Sequence, residues 1–379
     1  MKKILSLIIC TVLFTTNISI SLADELSISS TSAILMDVSS GQVIYEKNSH
    51  EKLPPASVTK VMTMLLIMEA LENNKITLED QVPISENASS MGGSQVFLEA
   101  GETQKVDDLI KAIAVASAND GCVAMAEYIG GSVVGFVDMM NKKATELGMK
   151  DTNFVNTNGL PVENHYTTAY DIALMSKELL SHDAISKYLN TWMDTIVVGK
   201  NKTSVGLVNT NKLVKHYEGT TGVKTGFTNE AKYCLSASAK RGDTHLVSVT
   251  LGATTSPERF KDATSLLNYG FMNYETIKLL NKDSEVQKIE FDKADSDFVE
   301  IVCKDDLNLL VKKDQSKEFV KKVVLDENVQ LPIKKGDKLG TYEVYQDEKL
   351  VGSVDLITTK DINKASYLQM FKKVINNLI

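Results

Sequence analysis

The chain of 379 residues is longer than one ordinary domain and allows two. Its 43% hydrophobic and 24% charged residues, with 6 prolines, are globular proportions that exclude a collagen, a mucin-like stalk and a polytopic membrane protein. A formal charge of -8 without basic clusters excludes a nucleic-acid binder, which needs a positive face to neutralise phosphates.

Residues 1–23 read as a secretory signal: Lys2 and Lys3, an apolar run from Ile4 to Phe14, and the small-x-small site Ser21-Leu22-Ala23 before Asp24. The run is too short for the ~20 residues that span a bilayer. No small residue precedes Cys10, so it does not read as a lipidation site. Removing two lysines and no acid takes the formal charge from -8 to -10. Cys122, Cys234 and Cys303 remain, with no Cys-x-x-Cys pair and no neighbouring histidine. They offer neither a disulfide framework nor a zinc site, and Cys122 and Cys234 read as small buried hydrophobes.

Ala33–Met36 and Val43–Tyr45 flank the turn-forming run Asp37–Gly41, a hairpin signal. After Pro54-Pro55-Ala56, Ser57 opens an apolar stretch from Val58 to Leu71, which predicts a buried helix. Helical patterns over Asp107–Ala116 and Cys122–Ile129 are interrupted by Ser117–Asp120, whose side chains favour turns and caps. Phe136–Leu147 and Ala169–Leu180 repeat the helical spacing. Lys232–Ala239 and His245–Leu251 alternate like strands around Arg241-Gly242-Asp243, and a helix follows over Pro257–Phe271. Strands at both ends of a helical insert predict an α/β (α+β) domain whose antiparallel sheet pairs the first hairpin with the late strands, over 24–275.

From Tyr274 the segments Val299–Val302, Val323–Leu325 and Thr341–Tyr345 are short, β-rich and separated by charged turns, which predicts a small all-β domain over 276–360. In 361–379, Tyr367, Leu368, Met370, Phe371, Val374, Ile375, Leu378 and Ile379 share one helical face, with lysines and polar residues opposite. This is the profile of an amphipathic helix lying in a membrane interface; a helix docked on the β domain is the competing reading.

Gly-x-Ser-x-Gly, His-Glu-x-x-His and Walker motifs are absent, and the five histidines are scattered. Ser57-Val58-Thr59-Lys60, Ser117-Ala118-Asn119 and Lys224-Thr225-Gly226 occur in that order. Each is weak singly, and two have rivals, Ser49-His50-Glu51-Lys52 and Ser85-Glu86-Asn87. Context separates them: Lys52 precedes Leu53-Pro54-Pro55, where a helix fails, whereas Ser57 opens one. Residues i and i+3 share a helix face, so Lys60 reaches Ser57. A serine hydroxyl needs a base, and a lysine serves if burial and a nearby positive charge, here Lys224, keep its amine neutral. The helix start offers an unpaired N–H at Ser57 as an oxyanion donor, and Gly226 would let a substrate backbone pair with a strand edge.

Together these motifs resemble the active-site signature of penicillin-recognising serine enzymes. The surroundings, from about Ser30 to Thr358, are similar to the low-molecular-mass D-alanyl-D-alanine carboxypeptidases. The resemblance implies a β-lactamase/transpeptidase-like domain, a small β domain and a C-terminal amphipathic anchor. It implies Ser57 as the acylated nucleophile, Lys60 as its base, Ser117 as proton carrier to the leaving D-alanine, and Asn119 as holder of the substrate amide and Lys60. Lys224 and Thr225 would bind the terminal carboxylate, N–H groups of Ser57 and Phe227 would form the oxyanion hole, and Arg259 would lie near the carboxylate site. Some relatives carry histidine where Phe227 stands. The implied substrate is a peptidoglycan pentapeptide ending in D-Ala-D-Ala. β-lactams would acylate the same serine, no metal or cofactor would be needed, and the enzyme would be exported to the outer face of the membrane. The alternatives are a class A β-lactamase, for which Glu163-Asn164 has the wrong spacing, and a non-catalytic β-lactam or cell-wall sensor.

Overall fold

The structure, a computed structural model, describes residues 26–291, 293–296, 298–326 and 329–376. The expected signal over 1–23, and Leu378 and Ile379 of the expected terminal helix, lie outside the described residues.

The first hairpin forms β1 (Ser32–Asp37) and β2 (Val43–Lys47), with the Asp37 carboxylate accepting from the N–H and hydroxyl of Ser40 in the turn. The chain passes through a 3-10 turn, Ala56–Thr59, into α1 (Lys60–Glu72). The insert continues through β3 (Gln81–Pro83), α2 (Glu86–Ser89), β4 (Thr103–Lys105), α3 (Val106–Ala116), α4 (Asn119–Gly130), α5 (Val133–Glu146) and α6 (Ala169–Ser181). After α7 (Ser186–Leu189) come a hairpin, β5 (Met193–Val198) with β6 (Thr203–Val208), and α8 (Leu213–His216). β7 (Thr220–Thr228), β8 (Lys232–Arg241) and β9 (Thr244–Ala253) then return to the sheet, and α9 (Ser256–Asn273) closes the unit. A capping box between Thr255 and Glu258, with Pro257 in the first turn, starts α9.

The sheet order is β2-β1-β9-β8-β7, so the first hairpin pairs with the late strands as expected. Alternation along buried strands divides two cores. Ala33 and Leu35, with Leu235, Ala237 and Leu246, pack with Leu266 and Leu267 of α9. Ile34 and Met36, with Val247 and Val249, face the helical insert and the fully buried α1 residues Val61, Met64 and Leu65. β7 lies at the end of the sheet order, with the turn at Ser57 packed beside it.

Beyond α9 come β10 (Tyr274–Leu280), β11 (Glu285–Ile289), β12 (Val299–Cys303), β13 (Leu307–Lys312), β14 (Val320–Leu325), β15 (Lys338–Gln346), β16 (Lys349–Thr358) and α10 (Tyr367–Asn376). A five-stranded sheet, β11-β12-β16-β15-β14, and the pair β10-β13 enclose a separate core around Ile301, Leu309, Val344 and Leu356. The Thr276 N–H donates to Thr244 Oγ1 at 2.8 Å and Lys278 pairs with Asp243 at 3.2 Å, fastening β10 to the β8–β9 turn.

Two expected boundaries move. α-Helical bonding begins at Lys60, because Ala56, at φ 48°, and the following 3-10 turn take up Ser57. The terminal helix begins at Tyr367: Ile362 is buried and bridges to Ile333, and Ala365 N–H donates to Lys293 O, so the residues before it belong to the β domain. Tyr367, Leu368 and Phe371 are 98%, 67% and 64% exposed, so these three side chains are not docked on that domain. Among the described residues no single helix is long and apolar enough to cross a membrane.

Candidate active site

The structure brings the three motifs together. Lys60 Nζ, fully buried, lies 3.1 Å from Ser57 Oγ, 2.6 Å from Asn119 Oδ1 and 2.7 Å from the Asn158 carbonyl. A protonated amine donates to all three. Once neutral, it keeps two hydrogens, and the two carbonyl oxygens can only accept them. The lone pair is then left for Ser57, the one partner with a hydrogen to give. Burial pushes the Lys60 ammonium down to about 8, against the nearby Cys122 and Asp120, which act to raise it.

α1 also holds the segment that supplies Asn158. Thr63, one turn beyond Lys60, donates to the Thr157 carbonyl at 2.6 Å. Within Asn156–Leu160 the Asn156 side chain accepts from the N–H groups of Asn158 and Gly159, a local turn of the kind asparagine favours. Gly159 sits at φ +85°, where an added Cβ would lie 1.8 Å from the Ala56 carbonyl oxygen. This close approach sets the segment against the Ser57 turn.

Ser117 ends α3 in the left-handed region at φ 64°, and α4 starts two residues later at Asn119. Its hydroxyl is buried and has no hydrogen-bond partner among the described residues. Asn119 is fixed by the loop before α3: its N–H donates to Ser94 O and its Nδ2 to Gly92 O, both at 2.7 Å. Asp120 steadies the same loop, its buried carboxylate accepting from the N–H groups of Val96, Leu98 and Gly121.

Opposite lies β7. Lys224 is 1% exposed and its Nζ donates to the Thr225 carbonyl at 3.0 Å. Burial, then the positive charges of Lys60 and Arg259, hold its pKa well below the usual lysine value. Burial is the leading cause at both lysines, and the repulsion between the two ammonium groups, which is mutual, adds to it. Thr225 and Thr210 share a hydrogen bond of 2.6 Å. A Cβ on Gly226 would stand 3.1 Å from Ser57 N, which shows how closely the strand passes the serine. Phe227 is half exposed and stacks on Tyr233, 4.4 Å between ring centroids. Arg259 acts on the strand through the main chain, Nη1 donating to Gly226 O at 2.8 Å, with its guanidinium between Tyr233 and Phe260.

The rival motifs are structural. Ser85 caps α2 by accepting from Ala88 N–H, and Lys52 is exposed in an ion pair with Asp151. Cys122 is buried and its thiol is pushed up to about 11, so it is no thiolate. Sequence reasoning missed Asn158, Gly159, Asp120 and His165. His165 Nδ1 accepts from Val155 N–H, which leaves Nε2–H to donate to Thr59 Oγ1 at 2.8 Å, and Thr59 donates to Ala56 O. Burial pushes His165 down to about 4, so the ring is a neutral brace for the serine turn. The run Asn156-Thr157-Asn158-Gly159 was the one available signal, since it carries turn chemistry.

A cleft of about 570 Å³ opens beside the turn, between Leu53–Ala56, Gly159–Tyr166, Thr228 and Glu230. Glu163 and Asn164 lie on its wall, and neither bonds Ser57 or Lys60.

Residues 19–255 match the D-alanyl-D-alanine carboxypeptidase family and residues 274–364 the C-terminal domain of penicillin-binding protein 5. The chain is 45% identical to the D-alanyl-D-alanine carboxypeptidase DacF of Bacillus subtilis, covering 93% of this chain and 91% of that protein. It is 33% identical to DacC of Escherichia coli, over 88% and 84%. The structure superposes on penicillin binding protein 5 of Haemophilus influenzae with a TM-score of 0.76 at 32% identity, over 89% of this chain and 98% of that one. A chain matched over most of its length, through the sheet-bearing unit and the β domain, belongs to the D-alanyl-D-alanine carboxypeptidase family.

Proposed function

We propose that this protein is a serine-type D-Ala-D-Ala carboxypeptidase that removes the terminal D-alanine from peptidoglycan pentapeptides, with Ser57 as nucleophile. Ser57 Oγ attacks the carbonyl carbon between the two D-alanines and its proton passes to Lys60 Nζ. The N–H groups of Ser57 and Phe227 receive the oxyanion. The C–N bond breaks as a proton reaches the leaving amine through Ser117, whose unpartnered hydroxyl suits that relay. Water, activated by the same amine, then hydrolyses the ester and restores Ser57. Lys224 and Thr225 take the terminal carboxylate, and Arg259 sets the strand that carries them. β-lactams place their ring carbonyl at the same serine.

The observation that carries this reading is the Lys60 amine, held by two acceptor-only carbonyls so that its lone pair falls to Ser57. Residues 1–23 would direct export, and the apolar face of α10 would rest on the membrane outside the cell. Fluorescent penicillin labelling and D-alanine release from a muropeptide pentapeptide test the chemistry. Both are expected in the wild type and neither in Ser57→Ala; a wild type that does neither refutes it.

A further inference from the structure

At the far end of α1 from Ser57, two helices finish against each other with acids in their last turns. Glu69 and Glu72 close α1, Glu178 lies in the last turn of α6, and His182 is the residue after it. Helix C-termini carry partial negative charge, so acids there oppose both dipoles. At 1.5 Å per residue the cluster lies roughly 14–18 Å along α1 from Lys60, outside the site described above.

One ring nitrogen of His182 and a carboxylate oxygen from each of Glu69 and Glu178 lie within 4.8 Å of one another. His182 is 7% exposed. Its Nδ1 is 2.7 Å from Glu72 Oε1, and a carboxylate only accepts, so Nδ1 carries the hydrogen. Nε2 is buried and has no hydrogen-bond partner among the described residues, and in the neutral ring it is the nitrogen that offers a lone pair. A carboxylate that fixes the tautomer of a histidine and presents its other nitrogen is the usual support of a metal ligand. Lys143 supplies one positive charge, 2.7 Å from Glu69 and 2.8 Å from Glu146, to a group holding four carboxylates.

We propose that Glu69, Glu178 and His182 form a zinc-type divalent-cation site that ties the C-terminal ends of α1 and α6 together, with Glu72 orienting the histidine. One imidazole nitrogen with two carboxylates suits Zn2+ better than Mg2+ or Ca2+, which take oxygen ligands. Tetrahedral zinc at about 2.0–2.2 Å from each ligand needs ligand atoms roughly 3.3–3.6 Å apart, which rotation of the two half-buried glutamates supplies. The site would be structural, clamping the helix that starts with Lys60. It does not depend on the chemistry proposed at Ser57.

The test titrates untagged, chelator-stripped mature protein with Zn2+ by calorimetry, beside Glu178→Gln and His182→Gln. One equivalent should bind the wild type with micromolar or tighter affinity and raise its melting temperature. Glu178→Gln should weaken binding at least about tenfold and His182→Gln should abolish it. Penicillin acylation should be unchanged in Glu178→Gln, which alters a half-buried side chain and serves if His182→Gln does not fold. Binding no tighter than millimolar, or the same one-equivalent affinity in Glu178→Gln as in wild type, would overturn the site.

Discussion

Around α1 and β7, polar side chains are buried together: Lys60, Ser117, Asn119, Asp120, Lys224 and Arg259 are each less than a tenth exposed. In the β domain, among the described residues, Thr276 and Thr358 are the buried polar side chains, and the core is otherwise Ile301, Leu309, Leu356 and their like. Residues at positive φ occur in both regions. Ala56 and Ser117 hold positive φ beside the reactive groups, whereas Asp347 and Glu348 hold it in an exposed hairpin turn. Burying amines and strained serines opposes stability, and such features persist where function selects them. The β domain core is built instead almost wholly from aliphatic packing.

That contrast is broken most sharply at its reactive end. Lys60→Met should lower β-lactam acylation at least about a thousandfold, because among the described residues Lys60 is the side chain hydrogen-bonded to Ser57 Oγ. A stopped-flow rate near that of the wild type would place the base elsewhere. Gly159→Ala should follow, losing about 2–4 kcal/mol and slowing acylation, because its methyl group meets the Ala56 carbonyl and the residue is held at positive φ. Urea denaturation and acylation rates together measure it.

In the β domain the loss should be of stability alone. Leu356→Ala, at a fully buried position, should cost about 2–5 kcal/mol while the folded protein acylates at the wild-type rate. A proportional fall in rate would show the two cores to be coupled. Acid should act on the sheet-bearing half through its neutral histidines. Burial holds His165 and His245 at about 4, below the usual 6.5, so the unfolded chain takes up protons first. The stability they contribute is present above pH 6.5 and is lost as pH falls through 4, about 3 kcal/mol for each ring. Denaturation midpoints in His245→Gln should therefore depend less steeply on pH across that window. The smallest effect on either core is expected from deleting 367–379, which leaves the buried Ile362 in place and should abolish liposome binding with acylation unchanged. Equal liposome binding would remove the membrane role of α10.

What was legible in the sequence was local or periodic. Ser57 and Lys60 meet through i, i+3 spacing, and the sheet follows from the apolar run of β1 before its turn and the alternation in β8 and β9. Asn158, Asp120 and His165 were not legible, because each acts through the fold: a carbonyl reaching Lys60 across 98 positions, and a ring reaching Thr59 across 106. The β5–β6 hairpin escaped because only Ile196, Val198 and Leu207 in it are buried, too sparse an alternation to signal strands. Lys224 was legible as a residue but not in its electrostatics, since burial cannot be read from a motif.

The proton on Lys60 is the centre of the mechanism, and the pH dependence of the β-lactam acylation rate measures it most directly. A base held at about 8 is mostly protonated at pH 6 and mostly free at pH 10. The rate should therefore climb to a plateau with a midpoint near 8. A rate that is flat or falling across that range would contradict Lys60 as the base.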